Sequence, residues 1–536
     1  MHTLQAPQVG ATARLRWWSV MMAIGLCLAL VAALAQQPGG LGGGSALRVQ
    51  PYLLDIAQRT PDVRVSTIIQ TAGQPDVVRA AVARVGGEVT SSIDMIRALV
   101  VTLPARAVLE LGRLPDVRWI SYDAPMTGSS CGACVDVSRL QAAYIKTIGA
   151  DRVWNELGYT GKGIGVAVLD SGINDQADLY TIDGRNRIVA AVYFNQGYNQ
   201  NPYDQYGHGN HVAGIIGGNG RQSRGAYIGV APDVNLINVK VLDEQGYTSM
   251  ARVLDGLQWI YNNHQRYNIR VVNLSLNSGI PESYHVNPVN AALELLWFHK
   301  IVVVVSAGNR AGEALASPAN DPFVIRVGAT DDRGTASLSD DALAPFSAYG
   351  VSSDGVAKPD LVAPGTNIIS SIGIAGTELQ RKYPSHIVND LYFRMSGTSM
   401  SAPMVAGTVA LLLQKEPNLT PDQVKYRLLS TARRFDSTQR SGAGYLDAYA
   451  ALTASTTANA NTGQTVSQLL WPDNQAVTWN SSQWSTVQWY RGLWNSSQWS
   501  TVQWYRGLEY SADVQWYRGL MTEARPWASN ADYWQP

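Results

Sequence analysis

Three short segments of this chain contain residue types that together can carry out nucleophilic catalysis. Val166–Gly172 supplies an aspartate, Gly207–Gly214 supplies two histidines, and Ser396–Pro403 supplies three serines. A serine hydroxyl is a weak nucleophile that needs a base within hydrogen-bonding distance. An imidazole can be that base because it titrates near neutral pH, and a carboxylate can fix its tautomer. Each segment is common alone, so the signal lies in their combination and in the order Asp, His, Ser.

The elements around these segments are expected to place the polar side chains at strand and helix ends. Asp170 follows the apolar stretch 163–169, and Asn309 follows the apolar run 301–306. Sites in open α/β sheets gather at the carboxyl ends of the strands. Ser399 precedes a predicted buried helix over 400–414, whose N-terminal N–H groups favour developing negative charge. Ser399 could also be only a helix cap, since serine is a preferred residue there.

Near-continuous apolar runs predict strands that are buried on both faces of a parallel sheet. Helical patterns such as 248–263 and 289–299 alternate with these runs. The alternation predicts an α/β fold with a mainly parallel sheet and helices on both faces. The clearest runs are 163–169, 235–241, 271–276 and 301–306.

A smaller unit is expected before this fold, over residues 47–125. Its patterns follow the order β-α-β-β-α-β, which predicts a small ferredoxin-like α+β domain. The predicted strands are 64–70, 88–90, 98–103 and 117–122, and the predicted helices are 75–85 and 104–114.

Taken together, the three opening segments resemble the motifs of the subtilisin-like serine peptidases. The resemblance spans residues 137–453, the expected peptidase domain, and it implies the subtilisin-like fold. It extends to further landmarks of that family, namely Gly229–Pro232, Lys358–Gly365 and Gly442–Asp447.

This resemblance implies hydrolysis of peptide bonds through an acyl-enzyme. Ser399 is then the nucleophile, His208 the general base and Asp170 the residue that orients His208. The family's Gly-Asn pair implies that Asn309 donates to the oxyanion, beside the backbone N–H of Ser399. No cofactor is required for this chemistry.

Two histidines compete for the role of base. The resemblance assigns His208, because the first histidine of the family motif is catalytic, and leaves His211 as a packed helix residue. A His-x-x-His metal site is the alternative, but the segment lacks the glutamate of a zinc-peptidase helix and any nearby third ligand.

The stretch around Ser275 looks like the edge strand with which this family binds substrate backbone. Ser275, Leu276 and Asn277 are therefore the predicted substrate-binding residues. The family usually has Gly-Gly after Ser-Leu, whereas this chain has Asn277 and Ser278. The usual preference for large apolar side chains is therefore not expected to carry over.

The domain at 47–125 resembles the propeptide of secreted members of the family, in Gly86–Val89, Thr102–Pro104 and Val117–Ser121. The resemblance implies a folding aid that blocks the active site and is removed by autoprocessing between residues 124 and 142. The expected partners are polypeptide substrates and this propeptide. A generic accessory domain is the alternative.

The first 35 residues have the layout of a secretory signal peptide. Arg14 and Arg16 precede the uncharged run 17–34, and Ala33–Ala35 offers a small-x-small cleavage site. A Gly-rich linker follows at 36–46. The protein is therefore expected to be secreted. An uncleaved anchor, with membrane or cell-surface association, is the alternative because the run nears the length of a bilayer span.

Two cysteines, Cys131 and Cys134, stand in Cys-Gly-Ala-Cys. In an exported protein a local disulfide is expected. A zinc site would need about four ligands, and no second cysteine pair exists.

A structural calcium ion is the one metal that the resemblance implies, with Asp178 as a candidate ligand. Calcium takes about six or more oxygen ligands. The loop 218–227 offers Arg221 and Arg224 but no carboxylate, which argues against the site.

After a predicted linker at 454–470, residues 471–536 contain ten of the sixteen tryptophans, many of them spaced five apart in a repeat. Such aromatics could contact a cell surface or a polysaccharide, or form only a flexible tail. A nucleic-acid partner is not expected, because the net charge is zero and no basic face is indicated.

Two other functions remain open at this point. A non-catalytic binding protein on the same scaffold would need a broken triad, and none is broken. A lipase or esterase would show a Gly-x-Ser-x-Gly elbow and the order Ser, Asp, His, and the proposed site has neither.

Overall fold

The computed structural model describes residues 47–128, 143–312, 316–373, 375–435, 440–471 and 475–480. The predicted signal segment, the Gly-rich linker, Cys131, Cys134 and most of the tryptophan repeats lie outside these residues. Within the described ranges no helix has the length and apolar character needed to cross a membrane.

The N-terminal domain, residues 47–124, is built on a four-stranded antiparallel sheet with the order β2-β3-β1-β4. This is the predicted ferredoxin-like arrangement. The helix expected over 104–114 is shorter, and an additional helix precedes the first strand. The elements are α1 (Pro51–Arg59), β1 (Arg64–Thr71), α2 (Pro75–Arg84), β2 (Glu88–Ile93), β3 (Ala98–Pro104), α3 (Val108–Leu111) and β4 (Val117–Tyr122).

Alternation along these strands gives the sheet two buried faces. Ile69 and Val101 pack into a core with the domain's own helices. Their neighbours Ile68 and Val100 belong to the core of the rest of the protein. Successive side chains of a strand point to opposite faces, so one sheet closes its own domain and also docks on the large domain that follows.

The large domain, residues 143–453, contains an eight-stranded sheet with the order β14-β13-β12-β10-β6-β8-β7, in which β17 also pairs with β13. All pairings are parallel except β13 with β14. The strands after β4 are β5 (Pro125–Gly128), β6 (Gly165–Asp170), β7 (Ile188–Tyr193), β8 (Asn235–Lys240), β9 (Tyr247–Ser249), β10 (Ile269–Leu274), β11 (Leu276–Ser278), β12 (Val302–Ser306), β13 (Ile325–Asp331), β14 (Ala342–Leu343), β15 (Gly350–Val351), β16 (Ala357–Lys358), β17 (Leu361–Pro364), β18 (Ile368–Ser371), β19 (Ile387–Val388) and β20 (Tyr392–Met395).

The helices of this domain flank the sheet strands that were expected from the apolar runs. The longest one is buried along almost its whole length and packs against β10, β12 and β13. They are α4 (Tyr144–Thr147), α5 (Ala150–Arg152), α6 (His208–Gly217), α7 (Met250–Asn263), α8 (Pro288–Phe298), α9 (Glu378–Lys382), α10 (Thr398–Lys415), α11 (Pro421–Thr431) and α12 (Ala448–Thr453).

The two domains meet at the N-terminus of α7. The Asp123 carboxylate accepts a hydrogen bond from the backbone N–H of Ala251 at 2.8 Å. The backbone N–H of Met250 donates to the carbonyl of Ala124 at 3.0 Å. A carboxylate at this position satisfies unpaired N–H groups and complements the helix dipole, so it stabilises the docked arrangement.

The stretch predicted as a linker at 454–470 packs closely where it approaches its end. Val466, Leu469 and Leu470 are buried, as is Trp479 beyond them. The Trp479 ring stacks on Phe298 at a centroid distance of 4.4 Å. Composition alone therefore misses a segment that joins the core.

Candidate active site

Asp170 and His208 form the best-defined pair of the site. Asp170 ends β6 and His208 begins α6, and both side chains are fully buried. His208 Nδ1 lies 2.7 Å from Asp170 Oδ1. Because a carboxylate can only accept, Nδ1 carries the proton and Nε2 of the neutral ring is left as an acceptor. This is the geometry that a general base requires.

The position of His208 depends on the backbone conformation of Gly207, the residue before it. Gly207 has φ = 104°, and an added Cβ there would lie 2.8 Å from Thr377 Oγ1. Other residues would therefore be strained and crowded at this position. The helix can start at His208 because the chain turns sharply at Gly207.

Asp204, which was not predicted from the sequence as a site residue, is a second buried carboxylate at this helix. Its Oδ1 accepts from the Ser171 hydroxyl at 2.8 Å and from the Gly207 N–H at 2.7 Å, and its Oδ2 accepts from the Asn210 N–H at 2.8 Å. The signal in the sequence was an acidic residue just before a helix start, where carboxylates cap N–H groups.

His208 and His211 differ in their titration although both are fully buried. Burial lowers the pKa of His211 to about 3, and its Nε2 faces the carbonyls of Ile368 and Phe393. Burial also acts to lower the pKa of His208, but the carboxylates of Asp170 and Asp204 outweigh it and raise that pKa above its usual value. These surroundings suit His208 for proton transfer and His211 for packing.

Ser399 lies in the first turn of α10, as the second residue of the helix. Its hydroxyl donates to the carbonyl of Ser275 at 3.2 Å, and the Ser275 hydroxyl donates to the carbonyl of Ser399 at 3.2 Å. Pro403 has no N–H to offer the carbonyl four residues earlier, so Ser275 takes that place. Among the described residues, His208 Nε2 has no hydrogen-bond partner.

Asn309 follows β12 and is tied to the start of α10. Its Oδ1 accepts from the N–H and the hydroxyl of Thr398 at 2.8 and 3.0 Å. Both bonds use the oxygen, so the amide orientation leaves Nδ2 as a buried donor, with no partner in the described part of the chain. Such a donor next to the serine is suited to bind an oxyanion.

An extended segment of the chain crosses this site. β5 (Pro125–Gly128) pairs antiparallel with β11 on one side and with β9 on the other. Gly128 lies opposite Leu276, and a Cβ built on Gly128 would be 3.7 Å from the His208 ring. The predicted substrate strand therefore binds an extended peptide, and that peptide is the end of the N-terminal domain.

Asn277, the third predicted substrate-binding residue, extends toward the end of β12. Its Nδ2 lies 3.4 Å from the Ser306 hydroxyl and 4.0 Å from where a Cβ would stand on Gly308. A glycine at position 277 would leave that space open. The side chain therefore narrows the region between β11 and the residues that lead to Asn309.

The candidate calcium ligand Asp178 does not fit a calcium site. Its two oxygens accept from the Gln222 N–H and from the Tyr392 hydroxyl, at 2.7 and 2.5 Å. The buried guanidinium of Arg187 donates to the Asp178, Gly217 and Val234 carbonyls, which a cation would otherwise use. No group of three or more potential metal-ligating side chains occurs in the described ranges.

The parallel α/β sheet, the Asp170–His208 pair and the groove that holds an extended strand define a peptidase-like class of protein. A comparison with family models refines this class. The model of the subtilase family matches residues 161–464, and the model described as "Putative peptidase inhibitor domain" matches residues 50–123. The chain belongs to the subtilase family, and it is a subtilisin-like serine protease with an inhibitor-like domain at its N-terminus.

Similar proteins agree with this assignment. Serine protease AprX of Bacillus subtilis (strain 168) is 42% identical over 274 residues, which are 50% of this chain and 60% of AprX. An alkaline protease of Alkalihalobacillus alcalophilus is 33% identical over 364 residues, which are 68% of this chain and 81% of that protein. Fervidolysin from Fervidobacterium pennivorans has a similar fold, with a TM-score of 0.57 at 24% identity over 73% of this chain and 61% of fervidolysin.

Proposed function

We propose that this protein is a secreted serine endopeptidase that is made as an autoprocessed precursor. Ser399 attacks the peptide carbonyl, His208 accepts the serine proton at Nε2, and Asp170 holds the imidazole and stabilises its charged form. The substrates are polypeptides, and the N-terminal domain is the intramolecular inhibitor. Subtilases generally need no cofactor, and none enters this mechanism.

The reaction proceeds in two halves. A bond forms between Ser399 Oγ and the substrate carbonyl carbon, and the oxyanion is held by Asn309 Nδ2 and the backbone N–H of Ser399. His208 then passes its proton to the leaving amine as the C–N bond breaks. In the second half His208 takes a proton from water as the water oxygen bonds to the acyl carbon, and it returns this proton to Ser399 Oγ as the ester bond breaks and the acid product leaves.

The observation that carries this proposal is the pairing of β5 between strands β9 and β11. An extended peptide bound by main-chain hydrogen bonds is how a protease presents a substrate backbone. Gly128 lies against His208 and opposite Leu276. The backbone carbonyl of Ser275, which precedes Leu276, accepts a hydrogen bond from the Ser399 hydroxyl. Gly128, the last described residue of this segment, therefore lies beside His208 and opposite the residue that follows Ser275.

From this register we expect the precursor to be cut after Ser129. Ser129 follows Gly128 in the sequence, and continuing an antiparallel register by one residue leads from Leu276 to Ser275. A small residue before the cut is consistent with the space between β11 and the end of β12, which the Asn277 side chain narrows. The mature enzyme would then begin at Ser130 and keep both Cys131 and Cys134, for which a local disulfide remains our expectation.

N-terminal sequencing and intact mass of the purified full chain test this proposal. The wild-type protein should yield a fragment that starts Ser-Cys-Gly-Ala-Cys, whereas the Ser399→Ala variant should stay uncut at that bond. Ser401→Ala is the matched control, since its hydroxyl bonds only the carbonyls of Ala363 and Pro364 in the described structure. If the purified Ser399→Ala protein, incubated without any other protease, is still cut after Ser129, the proposal is refuted.

The remaining parts of the precursor keep their predicted roles. Residues 1–35 direct export, 36–46 form a linker, and 137–453 form the peptidase domain, against which the end of the predicted linker 454–470 packs. The tryptophan repeats beyond residue 480 contact a cell surface or a polysaccharide, whereas Trp479 at their start packs on Phe298 in the core. A mass of the exported protein that retains residues 1–35 would instead support membrane association.

A further inference from the structure

A short segment after the peptidase domain contacts both domains of the protein. We call residues 467–471 the strap. They lie beyond α12, the last helix of the large domain that the structure describes. On one side the strap forms hydrogen bonds with α8 and with the loop that precedes it. On the other side it forms hydrogen bonds with side chains of strands β1 and β4 of the N-terminal domain.

The strap is fixed to the large domain by buried hydrogen bonds. The Ser467 N–H donates to the Glu294 carboxylate at 2.8 Å. The Ser467 hydroxyl and the Gln468 N–H both donate to the carbonyl of His285, at 2.9 and 2.8 Å. Just before the strap, Val466 pairs with Val477, next to the buried Trp479. The strap is thus anchored to the large domain at its N-terminal end, through Ser467 and Gln468.

The N-terminal domain grips the strap with two side chains. Arg118 Nη1 donates to the carbonyls of Gln468 and Trp471, at 3.0 and 2.8 Å. Gln70 Nε2 donates to the carbonyl of Leu469 at 2.9 Å and is buried. Hydrogen bonds from a charged donor are stronger than neutral ones, and buried ones are the most costly to lose.

Apolar contacts accompany these bonds. Leu469 and Leu470 are only 5% and 7% exposed, and they line a cleft together with Met95, Ile96 and Leu295. Departure of the N-terminal domain would expose this apolar surface to water, which is unfavourable.

We propose that the strap is a docking surface for the chain's own N-terminal domain after cleavage, and that it slows the release of this inhibitor. The proposal rests on the proposed function, because the cut lies between the two domains. The strap stays covalently attached to the peptidase, so its contacts to Arg118 and Gln70 outlast the cut. Cleavage and the appearance of activity are then two separate steps.

The test uses the full chain with Ser399→Ala and with a recognition sequence for an added protease inserted between Asp136 and Val137, beyond both cysteines of the expected disulfide. After the added protease has cut, size-exclusion chromatography measures how fast the N-terminal fragment leaves. Arg118→Met and Gln70→Met keep the side-chain stems but remove the donors. Each should speed release about tenfold, and both together should do so more strongly.

Arg113→Met is the matched control, because Arg113 is an exposed arginine of the same domain and loses the same charge. Its release rate should equal that of the parent. Equal release from parent, Arg118→Met and Gln70→Met would overturn the proposal. This experiment does not depend on self-cleavage. It therefore tests the role of the strap even if the proposed catalytic function is wrong.

A second arm uses the same substitutions with Ser399 intact. The cut should occur at the parental rate, and the lag between the cut and the rise of peptidase activity should shorten about tenfold in Arg118→Met. A shorter lag caused only by faster cutting would contradict a role in release. Absence of any cut in all variants would instead refute the proposed function.

Discussion

The two halves of the proposed active site are built differently. On the side of His208, direct buried hydrogen bonds fix the geometry. One joins the imidazole to Asp170, and another joins the Asp204 carboxylate to the Gly207 N–H in the turn before the helix. On the other side, the Ser399 hydroxyl bonds a main-chain carbonyl, and the Asn309 amide nitrogen has no partner among the described residues.

This difference separates what is prepared before substrate arrives from what acts on it. The tautomer of His208, the proposed base, is set by its bond to Asp170, and its raised pKa is set by the carboxylates of Asp170 and Asp204. Ser399 and Asn309, the proposed nucleophile and oxyanion donor, are positioned by a helix start and a strand end; the Ser399 hydroxyl makes only a 3.2 Å bond to a main-chain carbonyl in the described structure, and Asn309 Nδ2 has no partner there. Preorganised groups of this kind stabilise the transition state without reorganising during the reaction.

The largest effect is expected on the side of the nucleophile. Ser399→Ala should lower kcat by roughly 10⁶-fold, which is the size of the effect known for the nucleophile of subtilisin. Ser401→Ala, two residues along the same helix, should retain activity. Hydrolysis of a peptide substrate by both purified proteins provides the measurement, and equal activities would contradict the assignment of Ser399.

Asn309 should come next. Asn309→Leu removes the Nδ2 donor and should lower kcat by about 10²–10³-fold with little change in KM, a range that comes from subtilisin. Thr398→Val is the comparison, because the Thr398 hydroxyl donates to Asn309 Oδ1 and accepts from the Gly308 N–H, and so positions the amide without supplying the Nδ2 donor. Its kcat should fall by about tenfold or less. Steady-state kinetics in which KM, and not kcat, changes would argue against an oxyanion role.

The other half of the site should respond in its pH dependence. The Asp204 charge raises the pKa of His208, so Asp204→Asn should lower that pKa. The base must be neutral to accept a proton, so the acid limb of kcat/KM should move to lower pH, with the plateau within about tenfold of the parent. Asp183→Asn, at an exposed carboxylate, should leave the profile in place. An unshifted acid limb in Asp204→Asn would exclude this electrostatic role.

The smallest effect concerns specificity. Asn277→Gly removes the side chain beside Ser306 and should raise kcat/KM about tenfold for substrates with a large apolar residue before the cut. Ser278→Gly tests the neighbouring position, whose hydroxyl bonds the backbone of Ile280. The two variants should differ when assayed with a matched pair of peptides, one with serine and one with phenylalanine there. The same preference in both would show that Asn277 does not set specificity.

Local sequence patterns predicted most of what holds the site. The apolar run before Asp170 and the buried helix after Ser399 follow from periodicity, and both are observed within a few residues. The helix begins at Thr398, two residues before the predicted 400, so Ser399 lies within the first turn and not before it. That shift is invisible in the sequence because Ser, Thr and Met are all acceptable near a helix start.

Features that depend on distant parts of the chain could not be predicted in this way. Pro125–Gly128 contains proline and glycine and no alternating pattern, and it becomes a strand only by pairing with β9 and β11. The strap likewise has the composition of a linker, and its contacts to Arg118, Gln70 and Glu294 depend on residues far away in the sequence. Such tertiary pairings override local propensity.

The most direct test of the central claim is to identify the residue that a fluorophosphonate probe labels. The probe modifies serines activated by an adjacent base, and the mature wild-type protein should be labelled once, at neutral pH. Peptide mapping by mass spectrometry should place the label on Ser399 and not on the nearby Ser396 or Ser401. A label on either of those residues, or none on the mature protein, would contradict the proposed mechanism.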